Sequence, residues 1–244
     1  MWKGIKAGVR FLALAVLWAM GVSILWVLVL RAVPPPVTWV MAEQAREQDG
    51  VQRTWRPLEE MGRAMPMAVI AAEDQLFFTH QGFDFAAMRK ALDHNEQGKR
   101  IRGASTISQQ TAKNVFLWHG RTFLRKGFEA WFTLMIEGLW GKQRIMEVYL
   151  NVAETGKGSF GVEAAAQACF KRSTAKLASS QAALIAAALP APRRYNACSP
   201  SAYVQRRAAW IQRQMRQLGD LLAPEERQRQ QEYRQQHGKD RRNK

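Results

Sequence analysis

The sequence predicts a mainly α-helical domain that is held by one N-terminal transmembrane helix. Residues 11–30 form a long apolar run without a single charge. From about Trp55 onward, apolar residues recur three and four positions apart, as they do on one face of a helix. No stretch alternates apolar and polar residues over a length that would support a sheet. We therefore expect one helical domain over residues 55–215.

The transmembrane segment is predicted over residues 11–31. At about 1.5 Å per residue, the uncharged run of residues 11–30 reaches roughly 30 Å as a helix, which is the thickness of a bilayer's hydrocarbon core. A buried helix of a soluble protein would show a polar face. A cleaved signal peptide would have a shorter apolar core and small residues at its end, whereas this run ends in Leu28, Val29, Leu30 and Arg31. An uncleaved anchor is favoured over both.

Cationic residues on the two sides of the anchor predict its orientation. Lys3, Lys6 and Arg10 precede it, whereas Arg31 alone follows it closely. The positive-inside rule then places residues 1–10 in the cytoplasm and the rest of the chain beyond the membrane. Pro34 to Pro36 predict that the helix stops and that residues 32–54 form a stiff, extended linker.

Three helices of the domain can be anticipated from their patterns. Arg121 to Trp140 is rich in apolar residues, and Gln181 to Leu189 is an Ala/Leu segment that Pro190 terminates. Thr106 and Gln109 have the spacing of a capping box, which predicts that a helix begins there. From Ser201 the chain becomes rich in Arg and Gln, and we expect a solvated helix that fades into a basic tail over 216–244, disordered after about Arg227.

Composition limits the possible functions. The chain has 244 residues, a formal net charge of +16 and 47% hydrophobic residues, which excludes a wholly disordered protein. Two cysteines exclude a disulfide-built scaffold and make a Cys-based zinc site improbable. Cys169 and Cys198 could be bonded in an oxidising compartment or could both be free. The charge points to a polyanionic partner, and the predicted topology argues against nucleic acid.

Two short motifs match well-known signatures without their required context. Gly156 to Gly161 matches G-x-G-x-x-G, but a helix rather than a strand is predicted before it, so a plain glycine-rich loop is favoured. Ser173 to Lys176 matches the S-x-x-K of penicillin-binding transpeptidases, but its partner motifs are absent from the sequence.

An acidic pair beside aromatic residues is the first candidate for chemistry. Glu73 and Asp74 follow an apolar, helical stretch and precede Phe77 and Phe78. A carboxylate near aromatic rings loses hydration, so its pKa rises and it can accept a proton near neutral pH. Glu73 is therefore the candidate base.

A cluster of cations and a second acid follow in the middle of the chain. On the predicted helices, Gln109 shares a face with Lys113, and Arg125 shares a face with Glu129. Two acids with several cations suit sugar chemistry in which an anionic leaving group departs. The cations of this cluster are Lys113, Arg121, Arg125 and Lys126.

Five motifs, in order over about residues 65–196, closely resemble the glycosyltransferase domain shared by class A penicillin-binding proteins and monofunctional peptidoglycan transglycosylases. E-D-x-x-F-x-x-H-x-G is found at 73–82, G-x-S-T-[IL]-[ST]-Q-Q-x-x-K-N at 103–114 and R-K-x-x-E at 125–129. I-[LM]-E-x-Y-L-N is found at 145–151, and G-x-G-x-x-G-x-E-x-A-A at 156–166. The single anchor and the absent transpeptidase domain resemble the monofunctional form. Cys169 and Lys171-Arg172 depart from the family pattern, outside the acidic and diphosphate positions.

The resemblance implies a lysozyme-like, two-lobed helical fold and assigns roles to residues. It implies that Glu73 is the general base and that Glu129 is the second catalytic acid, which orients or neutralises groups at the donor phosphates. Phe77 and His80 are expected to hold the Glu73 loop, and Glu147 and Asn151 to be structural. Substrate binding is implied for Asp74, Gly103, Ser105, Thr106, Gln109, Gln110, Lys113, Asn114, Arg121, Arg125 and Lys126.

The resemblance also implies an activity and its partners. Such enzymes polymerise lipid II into β-1,4 glycan strands with inversion and release undecaprenyl diphosphate. No cofactor and no resident metal are expected, although a divalent cation could bridge the diphosphate and Glu129. The expected partners are lipid II, the nascent glycan, the membrane and other cell-wall synthesis proteins. The expected location is the inner membrane, with a periplasmic or extracellular domain. The alternative is an anchored lytic transglycosylase or lysozyme-like hydrolase of the same glycan.

The resemblance further implies an apolar surface that dips into the membrane. Each candidate for that surface could equally belong to the core. The candidates are Phe116, Leu117, Trp118, Phe123, Phe128, Trp131 and Phe132.

Overall fold

The computed structural model describes residues 2–47, 50–97, 103–120, 122–229 and 232. Helices dominate it, as predicted. They are α1 (Trp2–Ala32), α2 (Trp39–Glu47), α3 (Ala64–Glu73), α4 (Phe85–Glu96), α5 (Ile107–Phe116), α6 (Phe123–Leu139), α7 (Lys142–Val152), α8 (Val162–Phe170), α9 (Ser179–Ala188) and α10 (Ala202–Leu218). The strands are β1 (Gln52–Arg53), β2 (Glu154–Gly156) and β3 (Ser159–Phe160).

Helix α1 shows that the apolar run is one continuous helix, as the prediction of a transmembrane anchor requires. Ile5–Ala32 is long and apolar enough to cross a bilayer, and most of its side chains face away from the rest of the protein. Its second half is held against the domain by hydrogen bonds. Trp131 Nε1 donates to Ser23 Oγ at 3.1 Å, and Trp140 Nε1 donates to the Val27 carbonyl at 2.7 Å. The α6 helix therefore lies alongside the second half of α1.

The segment after the anchor differs from the prediction of a stiff, extended linker. The α2 helix forms within it and buries Val40, Met41 and Gln44. Gln44 Oε1 accepts a hydrogen bond from the Gly158 N–H at 2.8 Å, which ties this helix to the domain. Buried apolar side chains on one face of α2 favour a packed helix over a solvated linker.

Two groups of helices make up the domain. The α3, α9 and α10 helices pack together, and α5, α6 and α7 form the second group, with α1 against α6. The α3 and α9 helices are buried nearly all round, which explains why their sequences lack a polar face. Glu147 accepts a hydrogen bond from the Leu58 N–H, and Asn151 pairs with the Arg56 backbone, so both act structurally, as expected.

A three-stranded sheet, in the order β1-β3-β2, corrects the expectation that the chain holds no sheet. Its strands are two or three residues long, too short to produce an alternating pattern. The G-x-G-x-x-G segment is the β2–β3 turn and the start of α8, not a nucleotide-binding loop. Gly161 has φ +81°, and a Cβ there would lie 3.0 Å from the Asn151 carbonyl oxygen, so glycine is needed at this close approach.

The two departures from the family pattern lie next to each other. Cys169 at the end of α8 is bonded to Cys198, which settles the alternative that the sequence left open. Lys171 ends α8 in the left-handed region with φ 52°, where glycine is the residue without steric cost.

The helix predicted after Ser201 is present, but it is solvated on its outer surface alone. The α10 helix buries Val204, Ala208, Ile211 and Leu218 against the core. The disorder expected at the end of the chain concerns residues that, apart from 228, 229 and 232, lie outside those the structure describes.

Candidate active site

Glu73 lies at the end of the apolar α3 helix, where its side chain is 13% exposed. Gln110 Nε2 donates to Glu73 Oε2 at 3.0 Å, and Arg207 Nη2 is 3.6 Å from Oε1. Burial raises the pKa of Glu73, and the charge of Asp74 raises it further. The Gln110 hydrogen bond and the charges of Arg207 and Lys113 lower it. The net upward shift suits a general base that works near neutral pH.

The two oxygens of Glu73 differ in their surroundings. Among the described residues, Oε1 is buried and receives no hydrogen bond. A buried carboxylate oxygen without a donor is costly, and the charge of Arg207, whose Nη2 is 3.6 Å away, offsets part of that cost.

Asp74, by contrast, is engaged within the protein. Both of its oxygens lie 3.0 Å from His80 Nε2, and Oδ2 accepts the Ile107 N–H at 3.0 Å. His80 Nδ1 in turn accepts the Gly82 N–H at 3.1 Å. The side chain therefore joins the loop after Glu73 to the start of α5, and its direct contact with substrate stays a prediction.

Helix α5 begins with the predicted capping box. Thr106 and Gln109 satisfy each other's backbone N–H groups, and Thr106 Oγ1 also donates to the Gly82 carbonyl at 2.6 Å. Both side chains are buried in this cap, which places the helix relative to the Glu73 loop. Gly103 and Ser105 are exposed immediately before it.

A cleft of about 550 Å³ opens beside Glu73's partner Gln110. Lys113, Asn114 and Arg125 line it together with Tyr149, whose hydroxyl donates to Gln110 Oε1 at 3.4 Å. The cleft thus contains four of the predicted substrate-binding residues.

Glu129 pairs with two of the predicted cations, Arg125, which lines the cleft, and Lys126, which follows it in the chain. This buried carboxylate is 3.0 Å from Arg125 Nη1 and is also bonded to Lys126. Surrounding protein removes water from Lys113 and lowers its pKa, and the nearby Arg125 and Lys126 lower it further, whereas the charge of Glu129 raises it. A site with this balance favours a bound anion, which would add the missing negative charge. Arg121, the remaining predicted cation, lies outside the described residues.

Glu129 does not fit a bridging metal ion well. Both of its oxygens are already bound by cations, so a divalent ion would have to displace Arg125 or Lys126. The described residues contain no group of three or more His, Cys, Asp or Glu that could hold a metal. A divalent cation at the diphosphate stays a prediction.

Arg207 is the functional candidate that sequence reasoning missed. It lies on α10, which looked like part of a solvated tail, yet it reaches Glu73. The available signal was a helical spacing of apolar residues, Val204, Ala208 and Ile211, which predicts a packed face.

Some of the residues expected on the apolar surface are exposed, and others are buried or partly buried. Phe123 is 99% exposed, and Phe128 and Trp118 are also exposed and meet edge to face. Leu117 is buried, and Phe116 stacks on Phe132 at 4.4 Å, partly buried. Phe123, Leu124, Phe128 and Leu134 are exposed apolar side chains of α6, the helix that packs against the anchor, and they are here called the apolar patch. Trp118 lies before α6 and meets the patch at Phe128.

These features define an anchored helical enzyme in which a buried carboxylate base lies near a cation-lined cleft, as group transfer from an anionic carrier requires. The sequence model of the family described as "Transglycosylase" matches residues 40–216. The chain belongs to that family, and its domain is helical and lysozyme-like.

Several relatives are similar over most of the chain. A protein of Xanthomonas axonopodis pv. citri is 53% identical over 86% of this chain and 88% of its own length. A protein of Pseudomonas syringae pv. syringae is 53% identical over 86% and 92%, and one of Stutzerimonas stutzeri 56% over 83% and 86%. Each of the three is named "Biosynthetic peptidoglycan transglycosylase".

Proposed function

We propose that this transglycosylase polymerises lipid II into β-1,4-linked peptidoglycan strands and releases undecaprenyl diphosphate. The observation that carries the proposal is the pairing of Glu73, whose pKa is raised, with the cation-lined cleft beside it. The names of the relatives supply the class of substrate.

The proposed glycosyl transfer requires a base for the acceptor and positive charge for the leaving group, and the site supplies both. The carboxylate of Glu73 takes the proton of the acceptor's 4-hydroxyl, and the resulting oxygen attacks the anomeric carbon of the donor sugar from the face opposite the diphosphate. The new C–O bond forms as the bond to the diphosphate breaks, so the configuration inverts. Lys113, Arg125 and Lys126 stabilise the charge that collects on the departing diphosphate. The leaving group needs charge stabilisation more than a proton.

This requirement favours synthesis over the alternative of glycan hydrolysis. A hydrolase or lytic enzyme expels a sugar hydroxyl, which requires a carboxylic acid that can donate a proton. Glu129, the second carboxylate, is bound by Arg125 and Lys126 and acts as an acceptor of hydrogen bonds. Glu73, whose pKa is raised, could itself donate a proton, so the discrimination rests on the cations. Lys113, Arg125 and Lys126 suit an anionic leaving group, which a hydrolase does not expel.

The orientation we propose places the domain outside the cytoplasm. Lys3, Lys6 and Arg10 favour a cytoplasmic N-terminus. The Cys169–Cys198 bond supports the same orientation, because disulfides persist in oxidising compartments. The apolar patch around Phe123 would lie in the outer leaflet, where it could reach a substrate whose lipid stays in the bilayer.

The test uses the purified full-length chain and labelled lipid II in detergent. We expect the wild type to form polymer and Glu73→Gln to lose about 10²- to 10⁴-fold in rate, the usual contribution of a general base. Release of fragments from preformed glycan, with no polymer made from lipid II, would refute the proposal.

A further inference from the structure

A buried ion pair lies behind the loop that follows Glu73. Lys142 Nζ is 2.6 Å from Glu137 Oε1, and the two side chains are 19% and 9% exposed. Ser108 Oγ donates a hydrogen bond to the same carboxylate oxygen. These three residues, here called the support cluster, join α5, α6 and the start of α7. None of them lines the cleft.

The support cluster contacts the Glu73 loop at two points. Lys142 Nζ lies 4.7 Å from the centre of the fully buried Phe77 ring, a favourable cation–π distance. Glu137 packs beneath Gly82, since a Cβ added to that glycine would be 3.1 Å from Glu137 Cγ. The loop from Asp74 to Gly82 therefore rests on this pair.

The same cluster also holds the beginning of α5. Ser108 is the second residue of that helix, and its hydroxyl bond brings the carboxylate of Glu137 to the first turn, where the helix dipole favours negative charge. Gln110, two residues further on, donates the 3.0 Å hydrogen bond to Glu73 Oε2. A shift of this turn would therefore move the donor that orients the base.

The charges of the cluster depend on one another. Burial lowers the pKa of Lys142, while the hydrogen bond and charge of Glu137, and the charge of Asp74, raise it. Removal of Glu137 would leave a buried ammonium beside Phe77 without its main counter-ion, which is strongly unfavourable. The resulting loss of stability would affect α5, α6 and the start of α7, which the cluster joins.

We propose that the support cluster positions Glu73 for base catalysis, through Gln110 on one side and the Phe77–Gly82 loop on the other. This inference rests on the proposed function. Glu137 and Lys142 are positioning residues in it, because they act through other groups and do not line the cleft.

The test is the pH dependence of lipid II polymerisation by Glu137→Gln and Ser108→Ala in the full-length chain. We expect kcat to fall about tenfold or more in both, with KM little changed, since small displacements of a reacting group cost this much. The Gln110 hydrogen bond lowers the pKa of Glu73. Its loss should therefore move the acidic limb of the kcat/KM profile to higher pH.

Glu163→Gln is the matched control. Glu163 is also buried and paired with a cation, Arg56 at 3.0 Å, but its contacts lie outside α5 and the Glu73 loop. We expect this variant to lose stability and to keep the wild-type kcat and acidic limb.

The outcomes separate the two proposals. A wild type that makes no polymer refutes the proposed function. A wild type that polymerises while folded Ser108→Ala matches it in kcat and acidic limb overturns the positioning role. The same holds if Glu163→Gln shows an equal loss and shift. If Glu137→Gln does not fold, Ser108→Ala, which buries no unpaired charge, decides the question.

Discussion

The Cys169–Cys198 disulfide should contribute substantially to the stability of the domain. The bond closes a loop with a sequence separation of 29 residues, and this loop contains the buried α9 helix. The chain-entropy relation for a loop of this length gives about 3.6 kcal/mol at 25 °C. We therefore expect Cys169→Ala/Cys198→Ser to unfold at a markedly lower urea concentration than the oxidised wild type.

The assay is equilibrium urea denaturation of the wild type, with and without reductant, and of the double variant. Cys198 is exposed, so a reductant should reach the bond in the folded protein. Reduced wild type and double variant should then unfold at similar urea concentrations. Equal stability of the oxidised wild type and the double variant would refute the reasoning.

Three further predictions concern the site and its surroundings. Arg207→Gln should move the acidic limb of the kcat/KM profile to higher pH, because Arg207 lowers the pKa of Glu73; an unmoved limb would contradict the contact. Lys171→Gly should raise the free energy of unfolding by about 1 kcal/mol, because glycine adopts the left-handed conformation without steric cost, and a denaturation midpoint measures it. Polymerisation should persist in EDTA, because Lys113 and Arg125 supply positive charge at the cleft. A complete loss of activity that added divalent metal restores would show that these two cations do not suffice.

Features with a local cause could be predicted from the sequence. The anchor follows from one uncharged run, and the start of α5 from the Thr106 and Gln109 capping box, whose geometry the structure confirms. The Arg125–Glu129 pair follows from a spacing of four residues on one helix. In each case, the interacting groups are neighbours in the chain.

Features that depend on distant contacts could not be predicted in the same way. Arg207 reaches Glu73 from 134 residues away, and the pairing requires α10 to pack on α3. The sheet has strands too short to show a period, and the α2 helix is stabilised by Gly158 and its surroundings. Whether Cys169 and Cys198 are bonded could not be predicted, because their spacing along the chain does not show whether they meet in the fold.

The pH dependence of kcat/KM for lipid II polymerisation by the wild-type chain tests the central claim most directly. The claim is that Glu73 is a base whose pKa is raised by burial beside a cation-lined cleft. The account predicts one acidic limb with an apparent pKa above that of an ordinary glutamic acid, and no such limb in the residual activity of Glu73→Gln. A rate that is already at its plateau at the ordinary glutamate pKa, or a Glu73→Gln variant that keeps the wild-type rate and limb, would contradict it.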